Sequence, residues 1–143
     1  MLMTVFIAAA VLSACTAARW YLRRSSRRET SHLGGRVRLT ELWNGGAAFG
    51  LPIGRGAVLA GSLAALAGLL RCGRRSPAAA GLALGGGLAN LWERLRQGRV
   101  YDYIRFPKAP GPLGRYVFNL ADLAVFLGAA GLLLGRGRRR KRR

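Results

Sequence analysis

Acidic side chains are what this sequence has least of. Five Asp and Glu stand against 24 Lys and Arg, a net charge of +19 over 143 residues. Aspartate occurs only as Asp102 and Asp122, so each acid can be examined singly. The one histidine, His32, sits in a polar loop and reads as solvated. Two cysteines, Cys15 in an apolar run and Cys72 in a basic connector, make neither a disulfide framework nor a metal-ligand spacing. No metal or organic cofactor is expected. The basic residues are not interleaved with aromatics in a binding module, so nucleic acid is not an expected partner. They flank apolar runs instead, as juxtamembrane segments do when they face anionic lipid head groups.

The chain is 51% hydrophobic and 20% charged, with the two classes in separate blocks. That segregation suits a membrane protein with basic connectors. Four apolar runs stand out, at 2–18, 51–70, 76–92 and 116–135, followed by the basic tail 136–143. Each approaches the roughly 20 residues that cross a hydrocarbon core of about 30 Å. The second and third are shorter, and flanking arginines can snorkel to compensate. The tight basic turn "RCGRRSP" joins them as an antiparallel hairpin. Glycines at 81, 85, 86 and 87 would weaken a soluble helix but let neighbouring helices approach in a membrane bundle. "RVRLTELWN" alternates enough to predict a short strand. The expected fold is a single polytopic domain over 1–143: an all-α membrane protein with four transmembrane helices and a small extracytoplasmic β-like segment.

An even span count puts both long connectors on one side and both termini on the other. The tail, with seven basic residues, favours cytoplasmic termini. The connectors carry seven and six basic residues, so charge alone leaves the orientation open. "LSAC" at 12–15 looks like a lipoprotein cleavage box, but no basic stretch precedes the apolar run, and a retained first span is expected.

Asn90 and Arg94 lie four apart on one face near the end of the third run, and Asp102 follows just beyond it. Asn119 and Asp122 lie three apart near the start of the fourth. Consecutive antiparallel spans bring Asp102 and Asp122 to the same side of the membrane. A carboxylate at that depth belongs in the bundle interior or a watered cavity. Two carboxyls held close cannot easily both ionise, which yields one acid and one base, the arrangement of an aspartic protease. At this point the alternative stands equally: Asp122 pairs with an arginine and fixes helix packing.

The segments "WNGGAAFG", "GGGLANLWERLRQGRVYDYI" and "VFNLADLAVFLG" together resemble, in order and spacing, the motif set of lipoprotein signal peptidase, or signal peptidase II. The resemblance covers roughly residues 40–135. It implies a polytopic aspartic protease of the bacterial inner membrane, with its active site near the extracytoplasmic face. Such a protease cuts lipid-modified prolipoprotein before the lipidated cysteine. It puts the catalytic dyad on Asp102 and Asp122, with Asn44, Asn90, Arg94 and Asn119 in support. It implies that the glycine-rich stretch after Asn44 packs against the site. Two positions depart from the pattern: Glu93 stands where the family usually has Asp, and Cys15 stands where the first span usually has Asp, four residues before Arg19. These departures keep a second reading open, a non-catalytic or weakly active homologue that binds lipidated peptides or membrane partners. A proton-coupled transporter is disfavoured, because four short spans show no repeat with paired broken helices.

Overall fold

The computed structural model describes residues 1–25, 29–45, 55–72 and 76–140, without the side chains at 55, 70–72 and 136–140. Helix α1 spans Leu2–Arg24. Strands β1 (Thr30–His32) and β2 (Val37–Asn44) follow, then helices α2 (Arg55–Cys72) and α3 (Pro77–Gln97). Strands β3 (Val100–Arg105) and β4 (Val117–Phe118) precede helix α4 (Leu120–Arg140). The strands form one antiparallel sheet in the order β1-β2-β3-β4.

Among the described residues the fold is therefore mostly helical, with four helices, but it is not all-α. The expected strand is β2, and three more strands join it. The fourth apolar run also divides: Val117–Phe118 is strand, and the helix begins at Leu120, not at position 116. The reason is local, because Asn119 caps the helix, its carbonyl accepting the N–H of Leu123 at 3.3 Å. Helices α1 and α3 outrun the expected 2–18 and 76–92, since arginine-rich turns are good helix formers even where hydropathy falls. Among the described residues, α1 is the one helix long and apolar enough by itself to cross a membrane; the apolar parts of α2 and α4, Gly56–Leu69 and Leu120–Gly135, are shorter. The glycine-rich stretch is described only at Gly45, and its remainder lies outside the described residues.

Helix α3 lies at the centre and packs against α1, α2 and α4. Pro77 starts it, where a missing N–H costs nothing. Gly98 ends it in the left-handed region at φ 71°, donating its N–H to the Arg94 carbonyl at 2.9 Å. Its three consecutive glycines serve three different neighbours. A Cβ on Gly85 would stand 2.6 Å from the Ala8 carbonyl oxygen of α1, and one on Gly86 would run into the Ala121 carbonyl of α4. One on Gly87 would stand 3.0 Å from Leu66 of α2. From α4, a Cβ on Gly128 would fall 2.6 Å from the Ala79 carbonyl oxygen. Such backbone approaches replace bulky interdigitation with small-residue contact. Pairing Thr4 with Gly81, Ala8 with Gly85 and Cys15 with Ala89 makes α1 and α3 parallel, while α4 runs antiparallel to α3.

Gly85→Ala should destabilise the protein by about 1–3 kcal/mol, the usual cost of overpacking. Gly61→Ala, on α2 with open space around it, should be neutral or stabilise by about 0.5–1 kcal/mol. Thermal unfolding in detergent micelles measures both; equal melting temperatures for the two variants would refute the close packing.

Candidate functional site

The capping residue of α4 organises a network of amides around two carboxylates. Asn119 is fully buried. Its Oδ1 accepts the Asp122 N–H at 3.0 Å, and the Asp122 Oδ2 accepts the Asn119 N–H at 3.0 Å. This reciprocal pair is a capping box, with Asn at the cap and an acid three residues on. The sequence "NLAD" is thus a helix-start signal. Tyr103 completes the cap, its hydroxyl accepting the Leu120 N–H at 3.2 Å. Asp122 sits in the first turn, where the helix dipole favours negative charge.

Asn119 also reaches sideways. Its Nδ2 donates to Asp102 Oδ1 at 2.7 Å and to Asn90 Oδ1 at 3.2 Å. Asn90, from α3, donates its own Nδ2 to Asp122 Oδ1 at 2.8 Å. Asn44 donates to Asp102 Oδ2 at 3.2 Å. Both carboxylates, Asp102 from β3 and Asp122 from α4, therefore hang on side-chain amides contributed by β2, α3 and the cap of α4. Both line a cavity of about 460 Å³, with Arg94, Asn44 and Asn119 also in its wall. The structure brings together all six residues singled out from the sequence.

Asn44 reaches Asp102 because of an irregularity in β2. Leu39 pairs with Ile104, but Leu42 pairs with Asp102, so β2 carries one extra residue between them. Beyond this bulge Asn44 pairs with Val100 and shares the sheet face of Asp102. Without it, alternation would turn Asn44 to the opposite face. Asp102 is only 3% exposed, and burial pushes its carboxyl up to about 6. The amides of Asn119 and Asn44 pull the other way, while the neighbouring Asp122 adds to the rise.

Two residues absent from the sequence candidates support this cluster. Arg19 of α1, buried, donates Nη1 to the Ala89 carbonyl at 3.0 Å and Nη2 to Asn90 Oδ1 at 2.6 Å. It thereby fixes the Asn90 amide so that its NH₂ faces Asp122. Arg19 Nε lies 2.8 Å from Glu93 Oε2 as a charge contact without hydrogen-bond alignment. Glu93 Oε2 accepts the Tyr101 N–H of β3 at 3.3 Å. One ion pair thus ties α1, α3 and the sheet together. At the first departure from the family pattern, Glu93 keeps a carboxylate for Arg19; at the second, Cys15 is an apolar packing residue against Ala89 and Ala121. The sequence signal for Arg19 was its place as the basic residue of the first-span motif.

The family model for signal peptidase (SPase) II matches residues 3–136. A lipoprotein signal peptidase of Methylorubrum extorquens is 41% identical over 103 residues, covering 65% of this chain and 59% of that protein. One from Methylobacterium radiotolerans is 39% identical over 103 residues, again covering 65% and 59%. The chain thus spans about three-fifths of the length of these curated relatives. A solved structure described as a bacterial membrane enzyme, at 2.3 Å resolution, superposes with a TM-score of 0.84 at 18% identity, covering 96% of this chain and 89% of that one.

Because the Asp102 carboxyl is raised on folding, its contribution to stability is complete below the ordinary value of 3.8 and is lost as pH rises through about 6. Above that point the ionised form costs on the order of 3 kcal/mol. Melting curves from about pH 4 to pH 7 should show wild type losing stability relative to Asp102→Asn as pH rises; parallel curves would contradict this burial. Arg19→Gln should cost about 3–5 kcal/mol, because Glu93 is left as an uncompensated buried charge. Chemical or thermal unfolding reads it directly, and a cost below about 1 kcal/mol would mean that the pair is dispensable.

Proposed function

The chain belongs to the signal peptidase II family, and on that premise we propose that it is an aspartic endopeptidase removing the signal peptide from diacylglyceryl-modified prolipoproteins, cutting before the lipidated cysteine. The observation that carries this reading is Asn119 donating to Asp102 while capping Asp122. A single rigid residue holds two carboxylates on one cavity wall. Asp102 and Asp122 are the proposed catalytic pair, and they share one proton. The ionised member takes a proton from a water molecule as the water oxygen attacks the scissile carbonyl. The protonated member gives its proton to that carbonyl oxygen, so that a neutral tetrahedral diol forms and the dyad again holds one proton. As the diol collapses and the C–N bond breaks, the dyad proton passes to the leaving amine and one diol hydroxyl returns its proton to the other carboxylate, restoring the singly protonated pair. Because the two groups titrate as a pair, the acid and base roles belong to the pair.

Asn44, Asn90, Arg94 and Asn119 are the proposed supports. Asn90 and Asn119 orient the carboxylates, and Arg94 lines the cavity that receives the peptide. A second cavity of about 450 Å³ reaches Asp122 from the side of α2. Ala57, Gly61, Ala65 and Leu66 line it, which suits an apolar substrate segment entering from lipid. In this reading all four helices cross the membrane, termini cytoplasmic, with the sheet at the extracytoplasmic face. The shorter apolar parts of α2 and α4 are accommodated by snorkelling and local thinning.

Asp102→Asn and Asp122→Asn should each lower cleavage of a lipidated prolipoprotein by on the order of 10²–10⁴-fold. A gel-shift assay in micelles measures it, with circular dichroism to establish that the variants remain folded. Full processing by either folded variant would remove the dyad assignment.

A further inference from the structure

The five-residue pattern Trp-x-x-x-Arg occurs on two helices away from the two aspartates, as Trp20/Arg24 on α1 and Trp92/Arg96 on α3. The two helices run parallel, so both Trp–Arg pairs point the same way. They meet across a cavity of about 430 Å³. Trp20, Arg23, Arg24, Trp92 and Arg96 line it, and the Arg19–Glu93 pair lies in its wall. The indoles are half open, 57% exposed at Trp20 and 56% at Trp92. The Arg24 guanidinium lies 4.2 Å from the Trp20 ring centroid, and that of Arg96 lies 5.8 Å from the ring of Trp92. Four arginines face one glutamate, and that glutamate is already engaged by Arg19 and the Tyr101 N–H. The wall therefore carries a surplus of positive charge.

We propose that this cavity binds the phosphodiester head group of an anionic phospholipid. Each Trp–Arg pair has the order that a membrane interface imposes. Apolar helix lies below, with the run of α1 ending at Ala18 and Leu88 exposed one turn beneath Trp92. The tryptophan stands at head-group depth. The arginine stands one turn, about 5.4 Å, further out, where a lipid phosphate sits. Planar guanidinium forks match phosphate oxygens, and the indole faces beneath them hold the forks in place. A soluble acidic peptide would satisfy the arginines but would leave the two indoles and Leu88 uncovered. The lipid covers both.

This inference rests on the membrane location proposed above, and one experiment separates the two. The full chain is reconstituted in phosphatidylcholine vesicles, and its tryptophan fluorescence is quenched with acyl-brominated lipids. Brominated phosphatidylglycerol should be preferred to brominated phosphatidylcholine by roughly tenfold in relative binding constant, falling to about unity in Arg24→Gln/Arg96→Gln. The single variant Arg96→Gln should fall between. Arg24 and Arg96 are exposed, so the fold should persist, and a melting curve checks it. Arg36→Gln/Arg38→Gln, removing equal charge from β2 and the turn before it, should keep the preference. No quenching by either lipid would fail the membrane location. Equal quenching of wild type by both would fail the site alone. Equal loss in the sheet control would make the effect one of net charge and overturn the proposal. Displacement by millimolar glycerol phosphate or by an Asp/Glu peptide would overturn it too, assigning the cavity to a soluble anion or an acidic peptide.

Discussion

Backbone contact along α3 is the constraint on which the rest of this structure depends. Three glycines in succession point about 100° apart around the helix, and each admits a different neighbour. Gly85 admits α1, Gly86 admits α4 and Gly87 admits α2. Side chains one turn further along α3 and three turns further along α1 can therefore reach across short distances. Asn90 meets Asp122 and Asn119 because Gly86 lies against Ala121. Arg19 reaches Ala89 and Asn90 because Ala8 lies against Gly85. Bulkier residues would hold the helices farther apart, and the short amide contacts of the site would open.

The site then solves a problem of scarcity. Of five acids in a chain with 24 basic residues, three are buried or half-buried in one neighbourhood. Glu93 takes the Arg19 ion pair, whereas Asp102 and Asp122 accept the amides of three asparagines and also lie within electrostatic reach of Arg19 and Arg94. Amides stabilise a carboxylate less than a full cation does, so they leave its proton easier to exchange. Strong ion pairing is placed where rigidity is needed. Where the proposed chemistry moves protons, amide donors hold the carboxylates and the arginines act from beside them.

Much of this was legible in the sequence, for reasons that differ by element. The apolar runs showed where helices lie, and the few acids drew attention to Asp102 and Asp122. The starts and ends were less visible, because hydropathy does not register a cap: "NLAD" reads as the lip of a span but is a turn of hydrogen bonds that stops β4 and starts α4. Strand β3 escaped for a different reason. Val100 to Tyr103 are buried on both faces, so the alternation that marks a half-exposed strand is missing. Arg19 was visible as a motif position, but its partners lie about seventy positions away, and only the packing of α1 on α3 reveals them.

The irregularity in β2 sets a rule of counting on this family member. Glu41 and Leu42 are exposed, so their identities are free to drift. The number of residues between Leu39 and Asn44 is not. Adding or removing one residue there changes odd to even and carries Asn44 away from Asp102, while a change of two restores the face. Upstream of Leu39, in the β1–β2 turn, no such arithmetic applies. Length variation should therefore accumulate on one side of a single position in the strand, while on the other side the chain tolerates altered letters but keeps its parity.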